Sequence, residues 1–419
     1  MQDTTGSFTI GALRPRSSSF TCAGFALEDV VIHFTGGRST LSVKQCPNIA
    51  CRELSWGGTD EEGKRLDLSD IRKRINMLDF EILKLLNSRM EYALRTKCFK
   101  ASVEDLAREH EVIDYIQKHS QGLIQPEFCK NLFADVISES KRLQCEDLKL
   151  IGFQGEHGAF GEVAARQFDR DLICISCAEF REVFEAVETG LLHYGVIPIE
   201  STLGGAVPDV NEFLTETILK IVGEVKLPIR YCLMTLPETD PREIRVVYSH
   251  PQVLSHCQGY LARRKVEGRP YYDSGAAARM LMRERPEASA VIASGFAAEF
   301  YNLVCVEEGL EDYPGNFTRF LVLSRDGEQT DGTKASVVFS TDHRAGALFE
   351  ILREFADVEI NLTKIESVPN RNDPGSYAFF LDFDGSIKDP AVLAVLERVE
   401  QKTRIFKFLG CYPAASNPV

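Results

Sequence analysis

The chain has 419 residues, of which 44% are hydrophobic and 26% are charged, a composition typical of globular proteins and not of disordered ones. A formal net charge of -14 argues against non-specific binding to nucleic acid, so no nucleic-acid partner is expected. No apolar run approaches the ~20 residues that a membrane span requires, which argues against a membrane partner.

Residues 1–64 are rich in Ser, Thr and Gly, and they predict a poorly ordered N-terminal extension to which no function is assigned. Arg14 and Arg16 would suit a transit peptide, but Glu28 and Asp29 argue against one, and the predicted location is the cytoplasm. The twelve cysteines form no disulfide framework and no paired zinc motif, which favours reduced thiols and no metal site.

Residues 65–146 predict an all-helical domain. Apolar residues recur at alternating spacings of four and three from Ile71 onwards, which indicates a long helix with a narrow apolar seam. Further helices are predicted over Val103–His119 and about Pro126–Gln144. A long helix with such a seam needs a partner, so we expect a homodimer or a higher homo-oligomer.

The seam ends on Arg89, and an arginine at an apolar position needs a counter-charge or an anionic ligand. Other polar residues are spaced so that they can join it, although each by itself also fits a solvated helix face. They are Arg72, Lys100, Asp105, Arg108, Glu109, Ser140 and Gln144.

Together these residues resemble the helical class of chorismate mutase. That reaction is a pericyclic rearrangement, so the enzyme needs no cofactor and works by holding a folded conformer and stabilising charge on the breaking ether. The resemblance implies carboxylate binding by Arg72 (from the partner subunit), Arg89, Arg108 and Ser140, ether-oxygen contacts from Lys100 and Gln144, and ring-hydroxyl contacts from Asp105 and Glu109. The segment between Lys100 and Asp105 is about four residues shorter than in relatives.

Residues 148–326 predict an α/β domain, because short apolar runs alternate with helical stretches. Chain crossings predicted at 226–228 and at Leu303–Val306 divide it into two lobes with a cleft between them, a common position for a ligand. Four polar segments follow or precede strands, and they lie at 155–161, 198–206, 248–252 and 316–320. Polar residues that converge from several strand ends predict a site in the cleft.

The four segments resemble prephenate dehydratase, most specifically through Thr318-Arg319-Phe320 and the preceding Asn316. The resemblance implies that Thr318 is the essential hydroxyl, and we hypothesise that it assists departure of the ring hydroxyl of prephenate. Arg319 is either part of the site or structural. The other implied site residues are Glu200, Ser201, Thr202, Ser249, His250, Gln252, Ser274 and Phe320.

Residues 333–413 predict the element order βαββαβ, which is that of a ferredoxin-like fold. They resemble an ACT domain, with Gly346-Ala347-Leu348 as its first motif and Glu366-Ser367 as the start of its second. Val368 stands where the second motif usually has Arg. The resemblance implies a phenylalanine pocket between two subunits, and the alternative is a dimerisation module without a ligand.

The sequence therefore predicts a multi-domain enzyme that converts chorismate to prephenate, and prephenate to phenylpyruvate with loss of water and CO2, under feedback inhibition by phenylalanine. One alternative is a dehydratase that acts on prephenate or arogenate beside an inactive mutase domain. Another is an amino-acid-binding regulator without catalysis.

Overall fold

A computed structural model describes residues 68–99, 102–120, 122–327, 332–369 and 377–416, together with the backbone of two strands near the N-terminus. Contacts divide the chain into two compact units, residues 1–82 and 83–419, each of which is described by itself. The first unit contains an antiparallel pair, β1 (Val30–Thr35) and β2 (Arg38–Val43). The rest of the predicted extension, and Lys100, lie outside the described residues.

The helical domain contains the three predicted helices, α1 (Leu68–Thr96), α2 (Leu106–His119) and α3 (Pro126–Cys145). The first of them runs from one unit into the other. α2 begins three residues later than predicted because the side chain of Asp105 caps it by accepting a hydrogen bond from the backbone of Arg108. α3 begins with a proline, which suits the first turn of a helix.

The second domain alternates strands and helices, as predicted. Its elements, in chain order, are β3 (Leu150–Gln154), α4 (Phe160–Phe168), β4 (Ile173–Cys177), α5 (Phe180–Glu188), β5 (Tyr194–Ser201), β6 (Gly205–Ala206), α6 (Pro208–Glu216), β7 (Lys220–Pro228), β8 (Tyr231–Thr235), β9 (Val246–Ser249), α7 (Pro251–His256), α8 (Gln258–Arg264), β10 (Glu267–Pro270), α9 (Ser274–Glu284), β11 (Ser289–Ser294), α10 (Gly295–Phe300), β12 (Val304–Glu308) and β13 (Phe317–Ser324).

These strands form two sheets, one in each lobe. The first has the order β4-β3-β5-β13-β7, with β6 paired to β5, and the second has the order β10-β9-β11-β8-β12. The chain passes from the first sheet to the second after β7, as predicted. The prediction that the chain crosses back to the first lobe at Leu303–Val306 is wrong, because these residues lead into β12, an edge strand paired with β8. The chain crosses back to the first lobe at 309–316 instead.

The third domain has the predicted βαββαβ order. Its elements are β14 (Lys334–Ser340), α11 (Ala347–Ala356), β15 (Leu362–Pro369), β16 (Tyr377–Asp384), α12 (Pro390–Lys402) and β17 (Ile405–Tyr412), in an antiparallel sheet of order β15-β16-β14-β17. Its sheet packs against the first lobe, and buried Phe380, Leu409 and Tyr412 share a hydrophobic core with Leu321 and Leu323 of β13. The third domain is therefore closely joined to the strand that contains Thr318.

No helix among the described residues is long and apolar enough to span a membrane.

Candidate active sites

A cavity of about 560 Å³ lies between the two lobes of the second domain. On one side, Thr318 and Phe320 of β13 and Ser201 of β5 line it. Thr318 and Ser201 are directly paired across the two antiparallel strands, so their side chains emerge on the same face of the sheet. Six of the predicted site residues therefore meet here, these three together with His250, Gln252 and Ser274 of the opposite lobe.

The opposite wall is built from the starts of two helices. His250 precedes α7, and its ring accepts a hydrogen bond from the backbone of Gln252 at 3.3 Å. Ser274 is the first residue of α9, which the carboxylate of Asp273 caps by accepting from the backbone of Ala276 at 2.8 Å. Both helices therefore begin at the cavity, and their first amide groups are bonded by these caps.

Four predicted residues do not line the cavity, and two of them are bonded to the backbone beside it. Ser249 is fully buried and its hydroxyl donates to the backbone carbonyl of Ile292. The hydroxyl of Thr202 donates to the carbonyl of Phe317 at 3.0 Å and accepts from the amide of the same residue at 3.2 Å. Both therefore support the loops beside the site.

The cavity is also lined by five polar residues that the sequence analysis did not assign to the site, Gln154, Tyr231, His256, Tyr272 and Asp273. Tyr231 and His256 form a hydrogen-bonded pair, with 2.9 Å between the phenolic oxygen and Nδ1. Burial raises the pKa of Tyr231 and lowers that of His256, so both favour their neutral forms. Burial also raises the pKa of Asp273 above its ordinary value. For these residues the sequence offered one signal, the position of Asp273 before a predicted helical run, which is typical of a helix cap.

Asn316 immediately precedes β13, the strand that contains Thr318. Its side-chain oxygen is 3.4 Å from the hydroxyl of Ser201, and it is itself buried. Its side-chain nitrogen has no hydrogen-bond partner among the residues described. A buried donor without a partner is costly, so this nitrogen is available to a ligand or a water.

Glu200 and Arg319 face away from the cavity. Arg319 is 2% exposed and forms ion pairs with Glu200, Glu224 and Asp382. Consecutive residues of a strand point to opposite faces, so Arg319 lies opposite Thr318. Of the two interpretations of Arg319, this environment favours the structural one.

In the helical domain, three of the predicted residues come together. The guanidinium of Arg89 donates to the hydroxyl of Ser140 on α3. One turn further along, the amide of Gln144 donates to the backbone carbonyl of Ala93 and, at 2.9 Å, to the hydroxyl of Thr96. Ser140 and Gln144 are buried, and partial burial lowers the pKa of Arg89.

The other predicted residues of this domain lie elsewhere. Asp105 caps α2, and Arg108 pairs with Glu111 on the exposed side of that helix. Glu109 pairs with Lys141 of α3 at 3.0 Å. Arg72 is exposed in the first unit, and Lys100 lies outside the described residues. This single chain thus assembles only part of the predicted site.

In the third domain, Gly346 precedes α11 with a φ of 83°, a left-handed conformation that suits glycine. Ala347 and Leu348 line a cavity of about 140 Å³ together with Tyr377 and Phe379. Glu366 and Ser367 lie on β15 and do not line this cavity. Only the first of the two predicted regulatory motifs therefore lines this cavity in one chain.

Within the described part of the chain, one group of side chains is close enough to share a metal ion, Cys232, Cys305 and Glu308. It does not line the cavity that contains Thr318.

Comparisons with known proteins match all three domains. Family models match at residues 71–145 (chorismate mutase type II), 151–328 (prephenate dehydratase) and 335–401 (ACT domain). The bifunctional chorismate mutase/prephenate dehydratase of Aquifex aeolicus is 31% identical over 359 residues, which are 83% of this chain and 98% of that protein.

Two solved structures share the fold of the second and third domains. The prephenate dehydratase of Arthrobacter aurescens in complex with L-Phe matches with a TM-score of 0.59 and 29% identity, over 64% of this chain and 92% of that one. GqqA, described as a quorum-quenching acylase, matches with a TM-score of 0.60 and 27% identity, over 64% and 98%. The chain belongs to the bifunctional chorismate mutase/prephenate dehydratase family, and it is an enzyme with both activities.

Proposed function

We propose that the dehydratase reaction takes place in the cavity between the lobes, with Thr318 as the residue closest to the chemistry. The observation that supports this assignment is the meeting of Thr318 and Ser201 with His250, Gln252 and Ser274 in one cavity. These side chains supply hydrogen-bond donors for the carboxylates and the ring hydroxyl of prephenate.

The chemistry requires the ring C–O bond and the bond to the ring carboxylate to break together. The electron pair released as CO2 leaves completes the aromatic ring and expels the hydroxyl group, which takes up a proton and departs as water. Thr318 donates a hydrogen bond to the departing oxygen, which lowers the barrier. Asp273 lines the same cavity and burial raises its pKa, so we assign it the relay of that proton from solvent. The side-chain oxygen of Asn316 accepts a hydrogen bond from the hydroxyl of Ser201 and holds it in place.

For the mutase reaction we propose that the site is completed by a second copy of the chain. Arg89, Ser140 and Gln144 form the part contributed by one subunit, where Arg89 binds a carboxylate and Gln144 turns from Thr96 towards the ether oxygen. The seam on α1 supports a dimer, since Ile71, Leu78 and Leu85 are about half or more exposed in one chain. The partner then supplies Arg72, and Lys100, Asp105, Arg108 and Glu109 complete the predicted set.

For regulation we propose that phenylalanine binds at the ACT domain, between two subunits. A cavity of about 140 Å³ lies beside Ala347 and Leu348, and Glu366 and Ser367, which do not line it in one chain, would reach it from another copy. The relative from Arthrobacter aurescens was solved with L-Phe bound. We place the enzyme in the cytoplasm, where the buried thiols of Cys174 and Cys177 remain reduced.

Acyl hydrolysis is not favoured, although one similar structure is described as an acylase. Ser249, which directly precedes His250, is fully buried and its hydroxyl donates to a backbone carbonyl, so it is not placed to act as a nucleophile.

The test is to supply purified enzyme with chorismate and to measure prephenate and phenylpyruvate over time. We expect prephenate first and phenylpyruvate second. Arogenate, supplied in parallel, should be turned over more slowly than prephenate, because the mutase step produces prephenate. No consumption of chorismate would refute the mutase assignment, and accumulation of prephenate without phenylpyruvate would refute the dehydratase assignment.

A further inference from the structure

Two residue pairs sit on opposite faces of the same two strands. Across β13 and β5, Thr318 is paired with Ser201 and Arg319 with Glu200. The first pair lines the dehydratase cavity. The second pair faces the ACT domain, so each of its residues is one peptide bond away from a residue that lines the cavity.

Arg319 binds carboxylates from both domains. Its guanidinium lies 2.6 Å from Glu224 of β7, 2.6 Å from Asp382 of the ACT strand β16, and 3.1 Å from Glu200. It also donates to the hydroxyl of Tyr412 on β17, at 3.2 Å. Each of the three guanidinium nitrogens of Arg319 thus contacts a protein group, and the substrate has no access to this side chain.

Glu200 is held from the other side by the ACT domain. Its second carboxylate oxygen accepts a hydrogen bond at 2.9 Å from Lys364 of β15, a side chain that is 7% exposed. Lys364 also lies 3.6 Å from Glu366. Lys334 of β14 pairs with Glu224 at 3.2 Å, which adds a third cation to the cluster.

The charges of this cluster balance without a ligand. Three cations, Arg319, Lys334 and Lys364, meet three buried or half-buried carboxylates, those of Glu200, Glu224 and Asp382, with Glu366 at the edge. Removal of one member of such a cluster leaves an uncompensated charge, which displaces its neighbours. The cluster therefore has one strongly preferred arrangement.

We propose that Glu200 and Arg319 are positioning residues for the dehydratase reaction, and that Lys364 and Asp382 of the ACT domain hold them so that Ser201 and Thr318 keep their catalytic geometry. The ACT domain is then part of the support of the active site. The inference rests on the proposed role of Thr318. It also provides a direct route from β15, which contains Glu366 and Ser367, to the catalytic strand pair.

The test uses the full-length enzyme with Lys364→Met, and Lys364→Arg as the conservative variant. Lys402→Met is the matched control, because Lys402 pairs with Glu354 inside the ACT domain and contacts no residue of the cluster. The mutase rate, measured in the same samples, reports whether the chain is folded. Thr318→Ala is measured in parallel to test the proposed function separately.

We expect Lys364→Met to lower the dehydratase kcat by about tenfold or more, since small displacements of a reacting group are costly, while KM changes less. Lys364→Arg should restore most of the loss, and Lys402→Met and the mutase rate should be unchanged. An unchanged kcat, or a loss confined to KM, would overturn the proposal even if Thr318→Ala is inactive. Activity retained by Thr318→Ala would instead overturn the role of Thr318 on which the inference rests.

The pH profile separates positioning from general damage. Burial alone would raise the pKa of Glu200, but Lys364 and Arg319 hold it below its usual range. The groups that face it are these two cations, with Glu366, Glu224, Asp382 and Tyr412 beyond them. Lys364→Met should therefore raise the pH below which dehydratase activity is lost, and Lys364→Arg should reverse this. If Lys364→Met lowered kcat but did not change the pH below which activity is lost, the positioning role of Glu200 would be contradicted.

Discussion

Glu91 in the second half of α1 and His157 of the dehydratase domain lie 3.0 Å apart, between a carboxylate oxygen and Nε2. The other ring nitrogen of His157 lies 3.1 Å from Glu162, so the imidazole stands between two carboxylates. The neighbouring Arg95 of α1 also pairs with Glu182 at 2.8 Å. The mutase helix is thus joined to the dehydratase domain by ion pairs.

The link through His157 predicts a pH-dependent stability. Burial alone would lower the pKa of this imidazole, but Glu162 and Glu91 raise it to about 9. Because the folded-state pKa is raised, the stabilisation is complete below the unfolded value of about 6.5 and is lost as the pH rises to about 9. The free energy of unfolding of the native enzyme should exceed that of His157→Gln by about 1–3 kcal/mol at pH 6.

Urea denaturation of both proteins at pH 6, 8 and 10 measures this difference. It should shrink between the first two values and be absent at pH 10. A difference that is constant across this range would show that His157 stabilises the protein by packing against Phe300 alone.

Arg89→Ala should abolish use of chorismate while turnover of supplied prephenate stays within about twofold, because Arg89 and the residues around Thr318 lie in different domains. A loss of two or more orders of magnitude in mutase kcat/KM is expected, since a guanidinium that binds a carboxylate is removed. The matched control is Arg142→Ala on α3, which removes an exposed arginine paired with Glu139 and Glu146. Equal loss of both activities in a folded protein would contradict separate sites.

The fold could be predicted from the sequence because its signals are local. The three helices of the mutase domain and the βαββαβ order of the ACT domain follow from periodicity and from turn residues. The return crossing between lobes was misplaced because β12 is a short edge strand whose first residue, Val304, is 45% exposed, so its apolar pattern is weak.

The site could be predicted only in part, for a geometric reason. Thr318, Arg319 and Phe320 are adjacent in sequence, yet alternation along a strand separates Arg319 from the other two. Its partner Asp382 is 63 residues away in a different domain, so no local pattern indicates the ion pair. Tyr231 and His256 were missed for the same reason, since they come from a strand and a helix of the second lobe that meet only in three dimensions.

Thr318→Ala should have the opposite effect to Arg89→Ala. Prephenate should accumulate from chorismate at the native rate, and phenylpyruvate formation should fall by about 10²–10⁴-fold, the range for loss of a proton-transfer group. Thr318→Ser retains the hydroxyl and should keep much of the activity. Thr189→Ala, at the exposed end of α5, serves as the control because its hydroxyl only bonds within its own helix. If Thr318→Ala kept the native dehydratase rate, Thr318 would have no role in the mechanism.

Regulation can be tested at Gly346, whose φ of 83° and open surroundings allow both the left-handed turn and the approach of a ligand. Calorimetry of the native enzyme with phenylalanine should show heat of binding, and the same ligand should inhibit the dehydratase reaction. Gly346→Leu should abolish both effects, because the new side chain strains the turn and fills the entrance beside Ala347 and Leu348.

Gly122→Leu is the control for this substitution, since Gly122 also has a positive φ and open space but lies in the mutase domain. It should bind phenylalanine as the native enzyme does. Absence of heat with the native enzyme would favour an ACT domain that serves only for dimerisation. In that case Val368 of β15, which is 6% exposed, packs in the core at the position where the usual motif has Arg.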